Sequence, residues 1–261
     1  MLKQTLRTRP QMPTGSPSGE SEEQLPLPRV LLLHLAPGMG IVLIIWLITP
    51  WLINRGLPTE LGFLLGVVFF SIPLELGYLL YLGKKRNGVF SLRGIVLYTQ
   101  RMPLWQYAVL FLPFLIYGIG LQAIYSPVAT GLAKQIFGWM PVYMLQDMQQ
   151  LRSLTAITLI TALLTLALDG IISPIVEELY FRGYLLPRLS HWGWFAPIIN
   201  AFLFTLQHFW QPYNYLLIFL LVLPEVMIVR WKRNIRFSIL CHCTANTLGA
   251  VLTLIALLLT R

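Results

Sequence analysis

The sequence predicts an all-α, polytopic transmembrane helix bundle of about seven spans, and three observations carry that prediction. Hydrophobic residues make up 56% of the 261 positions and charged residues only 11%, under half the roughly 25% charge of a soluble domain. The mean hydropathy is +0.69. Apolar stretches long enough to cross a bilayer recur along the chain, separated by short polar loops. Together they exclude an ordinary cytosolic enzyme and a disordered chain. The formal charge of +9 fits basic loops facing the cytoplasm better than a nucleic-acid partner. Membrane lipids are therefore the expected surroundings, and nucleic acid is not an expected partner. Cys241 and Cys243, the two cysteines, offer no disulfide framework.

Residues 1–29 read as a disordered tail. The stretch from Thr8 to Glu23 is polar and rich in Pro, Gly and Ser, and it cannot bury enough apolar surface to offset its ordering entropy. It lacks the apolar core of a signal peptide, so the first span is expected to be retained. A transmembrane helical domain follows over 30–261. Its spans are expected at 30–53, 61–83 and 104–125, followed by an interfacial segment or loop over 126–153. A long apolar stretch, 154–187, is interrupted by Asp169-Gly170 and Pro174. Segments 195–210, 213–229 and 237–260 complete the list, the first of them short for a full crossing. Neither an internal repeat nor a soluble domain is evident.

The stretch 154–187 crosses once with a kink, giving seven spans, or twice as a hairpin, giving eight. Basic residues favour the single crossing. It puts Lys3, Arg7, Arg9, Arg29, Lys84, Lys85, Arg86, Arg93, Arg101, Arg188, Arg230, Lys232, Arg233 and Arg236 on one side, with Arg55, Lys134, Arg152 and Arg261 on the other. The N-terminus is accordingly expected in the cytoplasm.

An ionised side chain at the centre of a membrane helix costs about 2.5–3.5 kcal/mol on insertion scales and is a functional candidate by default. Glu75, Asp169, Glu177, Glu178, Arg182 and Glu225 lie in or near spans, with His208 and His242. Glu178 and Arg182 stand four apart in the favourable order on one helix face, and Glu177 points about 100° away. One carboxylate then has a structural partner and the other is free for chemistry; the alternative is that both brace the bundle. Asn200, Phe204 and His208 share another helix face. His242 and Asn246, also four apart, converge on one point, where they suit an anion or a developing oxyanion; the alternative is an interhelical polar clamp. Cys241 and Cys243 read as small packing residues.

In this order, Glu177-Glu178-Leu-Tyr-Phe-Arg182, Phe204-Thr-Leu-Gln-His208 and His242-Cys-Thr-Ala-Asn246 resemble the EExxxR, FxxxH and HxxxN motifs of the CAAX prenyl endopeptidase and bacteriocin-processing (CPBP or Abi) family of intramembrane proteases. The resemblance covers roughly 156–256 and makes 154–260 a catalytic core with a polar pocket among the C-terminal helices. It implies an integral membrane peptidase that cleaves a membrane-associated protein or peptide. Glu177 and His208 would handle water, His242 and Asn246 the oxyanion, and Glu178–Arg182 the helix geometry. The cofactor is either none or zinc. Glu177, His208 and His242 are the candidate metal ligands, although no helix carries the stronger HExxH signature. A prenylated CAAX protein is one substrate the resemblance allows, and a bacteriocin or other peptide is another. Two rivals remain: a proton- or ion-coupled transporter, in which Glu75, Asp169 and Glu225 would matter as much as the motifs, and a non-catalytic immunity or scaffold protein.

Overall fold

A computed structural model describes residues 24–145 and 155–259. Among these residues the fold is wholly helical, as a chain in lipid requires, because a helix satisfies its own backbone polar groups. Seven helical runs follow one another: α1 Leu27–Asn54, α2 Glu60–Asn87, α3 Leu104–Gln135, α4 Ala156–Trp192, α5 Phe195–Leu206, α6 Pro212–Lys232 and α7 Ile235–Leu259. Six are long and apolar enough to cross a membrane, and α5 is not.

Three boundaries differ from the sequence reading, and one agrees with its preferred single crossing. Pro28 sits in the first turn of α1, which starts at Leu27, and Leu25 is buried with its N–H on the Arg188 carbonyl. The ordered chain thus begins before residue 30; the expected tail over 1–23 lies outside the described residues. Helix α3 runs to Gln135, through Pro113 and Pro127, so only the later part of 126–153 is non-helical. There Met140 and Met144 pack with Ile41, Ile45 and Val67, and residues 146–153 lie outside the described set. The stretch 154–187 forms one helical run and no hairpin. Its breakers are absorbed by a π-helical turn at Leu168–Ile172, whose Asp169 and Gly170 carbonyls receive hydrogen bonds from Asn246 and Thr247 of α7. Finally, the helix expected over 195–210 stops at Leu206. Its 12 residues reach about 18 Å, well short of a bilayer. The chain then turns over 207–214, where Gln207 and Tyr213 are buried. A Cβ on Gly38 would overlap the Gln207 carbonyl, so the glycine lets this turn sit against α1.

The basic loops meet at one end of the bundle. Leu97 N–H bonds the Gly183 carbonyl, Gln100 N–H the Arg233 carbonyl, and Ile235 N–H the Tyr98 carbonyl. Arg188 reaches the Ile95 carbonyl, and Gln24 bonds Ser190 and His191. The start of α1, the 88–103 loop, the end of α4 and the α6–α7 turn therefore share one end, as a single crossing of α4 requires. Below this end the core closes around Tyr180, Phe181, Leu185, Phe204, Leu79 and Val226.

Candidate active site

The site is built on α4, where a second π-helical segment, Glu178–Leu185, follows the motif glutamates. Such segments recur at functional sites because they re-aim side chains and free carbonyls. The two adjacent glutamates have separate surroundings. Glu178 is 0% exposed and Arg182 1% exposed, with Arg182 Nε 3.2 Å from Glu178 Oε2. Glu178 Oε1 also accepts from Nδ1 of His242 at 2.9 Å. Glu177 is half-buried; its Oε1 accepts from Ser173 Oγ at 2.7 Å.

Phe204 organises the groups around it. The Arg182 guanidinium lies 4.0 Å from the centre of its ring, a cation–π contact that suits a desolvated cation. The His208 and His242 rings lie 5.0 and 6.0 Å from the same ring, both edge to face. Nδ1 of His208 bonds the Phe204 carbonyl at 2.9 Å. A carbonyl only accepts, so Nδ1 carries the hydrogen and the neutral ring presents Nε2 as an acceptor. Trp210 covers the far side of His208, with ring centres 5.0 Å apart. Glu177, His208, His242 and Asn246 are all half-buried, while Glu178, Arg182 and Asn200 are fully buried.

One placement differs from the expected arrangement. His242 and Asn246 were expected to converge on one point, but each has its own partner. His242 is tied to Glu178, and Asn246 Nδ2 donates to the Asp169 carbonyl at 3.0 Å, leaving one N–H for other work. The reason is the π-helical turn at 168–172, which presents carbonyls to α7. Among the described residues no group of three His, Cys, Asp or Glu side chains is arranged to hold a metal. Cys241 is buried and Cys243 half-buried, in keeping with packing roles.

Sequence reasoning missed several members of this cluster. His34 of α1 is fully buried; it bonds the Val30 carbonyl through Nδ1 and Asn200 Nδ2 through Nε2. Asn200 also donates to the Phe181 carbonyl, so one polar chain ties α1 to α5 and to the motif helix. The available signal was its place inside the expected span 30–53; its partner on α5 was not readable locally. Ser173 was readable in principle, at the i−4 position from Glu177. Glu75 and Glu225, named in the sequence only as charges in or near spans, are both buried, and Ser71 Oγ donates to Glu75 Oε1 at 2.8 Å.

Residues 158–248 match the family model described as type II CAAX prenyl endopeptidase Rce1-like. The matched segment contains all three motifs, nearly the extent expected from the sequence. No curated protein and no solved structure matches the chain. At the level of that family, the match and the apolar helices support an integral membrane protease, a hydrolase acting on a protein or peptide in a lipid setting.

Proposed function

We propose that the chain is an intramembrane endopeptidase in which Glu177 activates water for attack on a peptide bond. One observation carries the assignment. Of two adjacent glutamates, one is sealed in a buried network with Arg182 and His242, and the other is half-buried, with Ser173 Oγ on one oxygen and the second oxygen free for water. Glu177 Oε2 takes a proton from water whose other hydrogen is held by His208 Nε2, and the hydroxide adds to the scissile carbonyl carbon. Geometry of this kind serves general-base catalysis without a metal. The proton on Glu177 passes to the amine as the C–N bond breaks. His242 holds its Nδ1–H on Glu178, so in the imidazolium form its Nε2–H points away from that carboxylate and donates to the oxyanion. The second N–H of Asn246 adds a further donor. Preorganised donors of this sort are worth about 10²–10³-fold each.

The proposed substrate is a peptide tethered to the membrane by a hydrocarbon chain, such as a prenylated C-terminal cysteine. An apolar groove of about 730 Å³ supports this. It is lined by Leu32, Met39, Trp46, Phe70 and Phe209, among others, and Phe209 is the neighbour of His208. Protein reconstituted in liposomes is expected to cleave a peptide ending in farnesyl-cysteine and three further residues, and to cleave the unprenylated peptide more slowly. Equal rates on both peptides would remove the tether from the proposal, and no cleavage of either would count against this substrate class.

The reaction is expected to be metal-independent, because no helix carries the stronger HExxH zinc signature. A chelator titration of the reconstituted protein should leave its rate unchanged, with elemental analysis finding no stoichiometric zinc. Inactivation by chelator, reversed by added zinc, would return Glu177, His208 and His242 to a ligand role.

For orientation, the end bearing Lys84–Arg101 and Arg230–Arg236 is proposed to face the cytoplasm, with the N-terminus, by the excess of basic residues there. A reporter inserted in the 232–234 turn is expected to read out as cytoplasmic, and an external readout would invert the bundle.

A further inference from the structure

Helix α5 carries Phe204 and leads into His208, yet lipid cannot fix its depth. A spanning helix is held in place by the match of its apolar length to the bilayer. With 12 residues, α5 is too short to cross a membrane and lacks that constraint. Its register against α4 has to come from contacts with neighbouring helices.

Those contacts meet at Asn200, midway along α5 and 0% exposed. Both of its N–H bonds leave the helix: Nδ2 lies 3.1 Å from the Phe181 carbonyl of α4 and 3.1 Å from His34 Nε2 of α1. His34 is fixed in turn. Its Nδ1 is 2.8 Å from the Val30 carbonyl, so Nδ1 carries the hydrogen and Nε2 accepts from Asn200. The Phe181 carbonyl already receives the Leu186 N–H within the π-helical segment, and its second lone pair takes Asn200. The Phe181 ring meets Phe204 edge to face at 5.0 Å, with the His34 ring at 5.6 Å. Asn200 and Phe204, one turn apart on α5, thus grip the backbone and the ring of one residue, the neighbour of Arg182. A slide of α5 by one residue would leave these buried polar groups unpaired, which is costly.

The grip extends to His208, about two helix turns further on. Its N–H bonds the Thr205 carbonyl at 3.1 Å and its Nδ1 the Phe204 carbonyl at 2.9 Å, so the imidazole moves with α5. We propose that Asn200, seated by His34, is a positioning residue for His208: it locks the register of α5 on the motif helix and so sets where the imidazole stands. The inference rests on His208 orienting the attacking water. No step of the hydrolysis passes through Asn200 or His34.

Ring-nitrogen NMR of protein isotope-labelled at its four histidines tests this without a substrate. The signal lost in His208→Gln identifies His208, which is expected as a single Nδ1–H tautomer in the wild type. Asn200→Leu should turn it into a mixture of tautomers. His34→Leu, which removes the acceptor for Asn200, should do the same, and His34→Gln, whose amide oxygen accepts, should not. Kinetics on the farnesylated peptide supply the second readout. Asn200→Leu and His34→Leu should lose about 10–10²-fold in kcat with KM unchanged, as a displacement of about 1 Å can cause, while His34→Gln stays within about threefold. The double variant Asn200→Leu/His34→Leu removes both polar side chains and should regain melting temperature lost by either single variant, but not kcat. An unchanged His208 signal in Asn200→Leu, equal kcat in His34→Gln and His34→Leu, or a kcat that returns with the melting temperature would each overturn the proposal. If Asn200→Leu does not accumulate, the two His34 variants decide by the same readouts. His208→Ala separates the two readings: if it keeps wild-type kcat, the role of His208 is wrong, whereas if it is inactive while Asn200→Leu is fully active, only the role of Asn200 fails.

Discussion

Glu177→Gln is expected to abolish cleavage while the protein accumulates normally and melts at the wild-type temperature. The amide keeps the shape of the carboxyl and can still accept from Ser173 Oγ, the contact observed at 2.7 Å. The half-buried position asks for no new desolvation. What is lost is the basic oxygen. General-base catalysis is typically worth about 10²–10⁴-fold, and the loss should appear in kcat, since the proton moves only in the transition state. In cells, the same substitution should remove a cleavage product that a comparison of protein termini detects in the wild type. A Glu177→Gln protein that retains wild-type kcat would end the proposed mechanism.

Glu178→Gln is expected to do the opposite, acting first on stability. Its carboxylate is fully buried between Arg182 Nε at 3.2 Å and His242 Nδ1 at 2.9 Å. Neutralising it leaves a guanidinium that is 1% exposed with the Phe204 and Phe181 rings, but no anion, to offset its charge. Breaking a buried pair by removing one partner typically costs about 3–5 kcal/mol. Lower abundance and a lower melting temperature should follow, together with a misplaced His242. Glu178→Gln combined with Arg182→Met should recover much of the stability, because no uncompensated charge then remains, but should not recover activity, since His242 has lost its brace. A Glu178→Gln protein that is fully stable yet inactive, beside an active Glu177→Gln, would exchange the roles of the two residues.

The amino-acid sequence by itself determined the membrane class, the approximate places of the seven helical runs and the motif residues, because each depends on local properties. Hydropathy over some twenty residues decides a span, and a spacing of four decides that Glu178 and Arg182 share a helix face. That Glu177 and Glu178 point to different surroundings was legible for the same reason, from helix geometry. The tertiary structure decided what depends on contacts between distant segments. That His242 braces Glu178 follows from how α7 packs on α4. The Asn246 bond to the Asp169 carbonyl exists because a π-helical turn, which no residue pattern announces, exposes that carbonyl. Helix α5 ends at Leu206 because the next residues turn within the protein against Gly38. Glu75 stands in the sequence as a charge within a span; that it is buried with one oxygen unpartnered is decided by the packing around it, since burial depends on segments far apart in the chain.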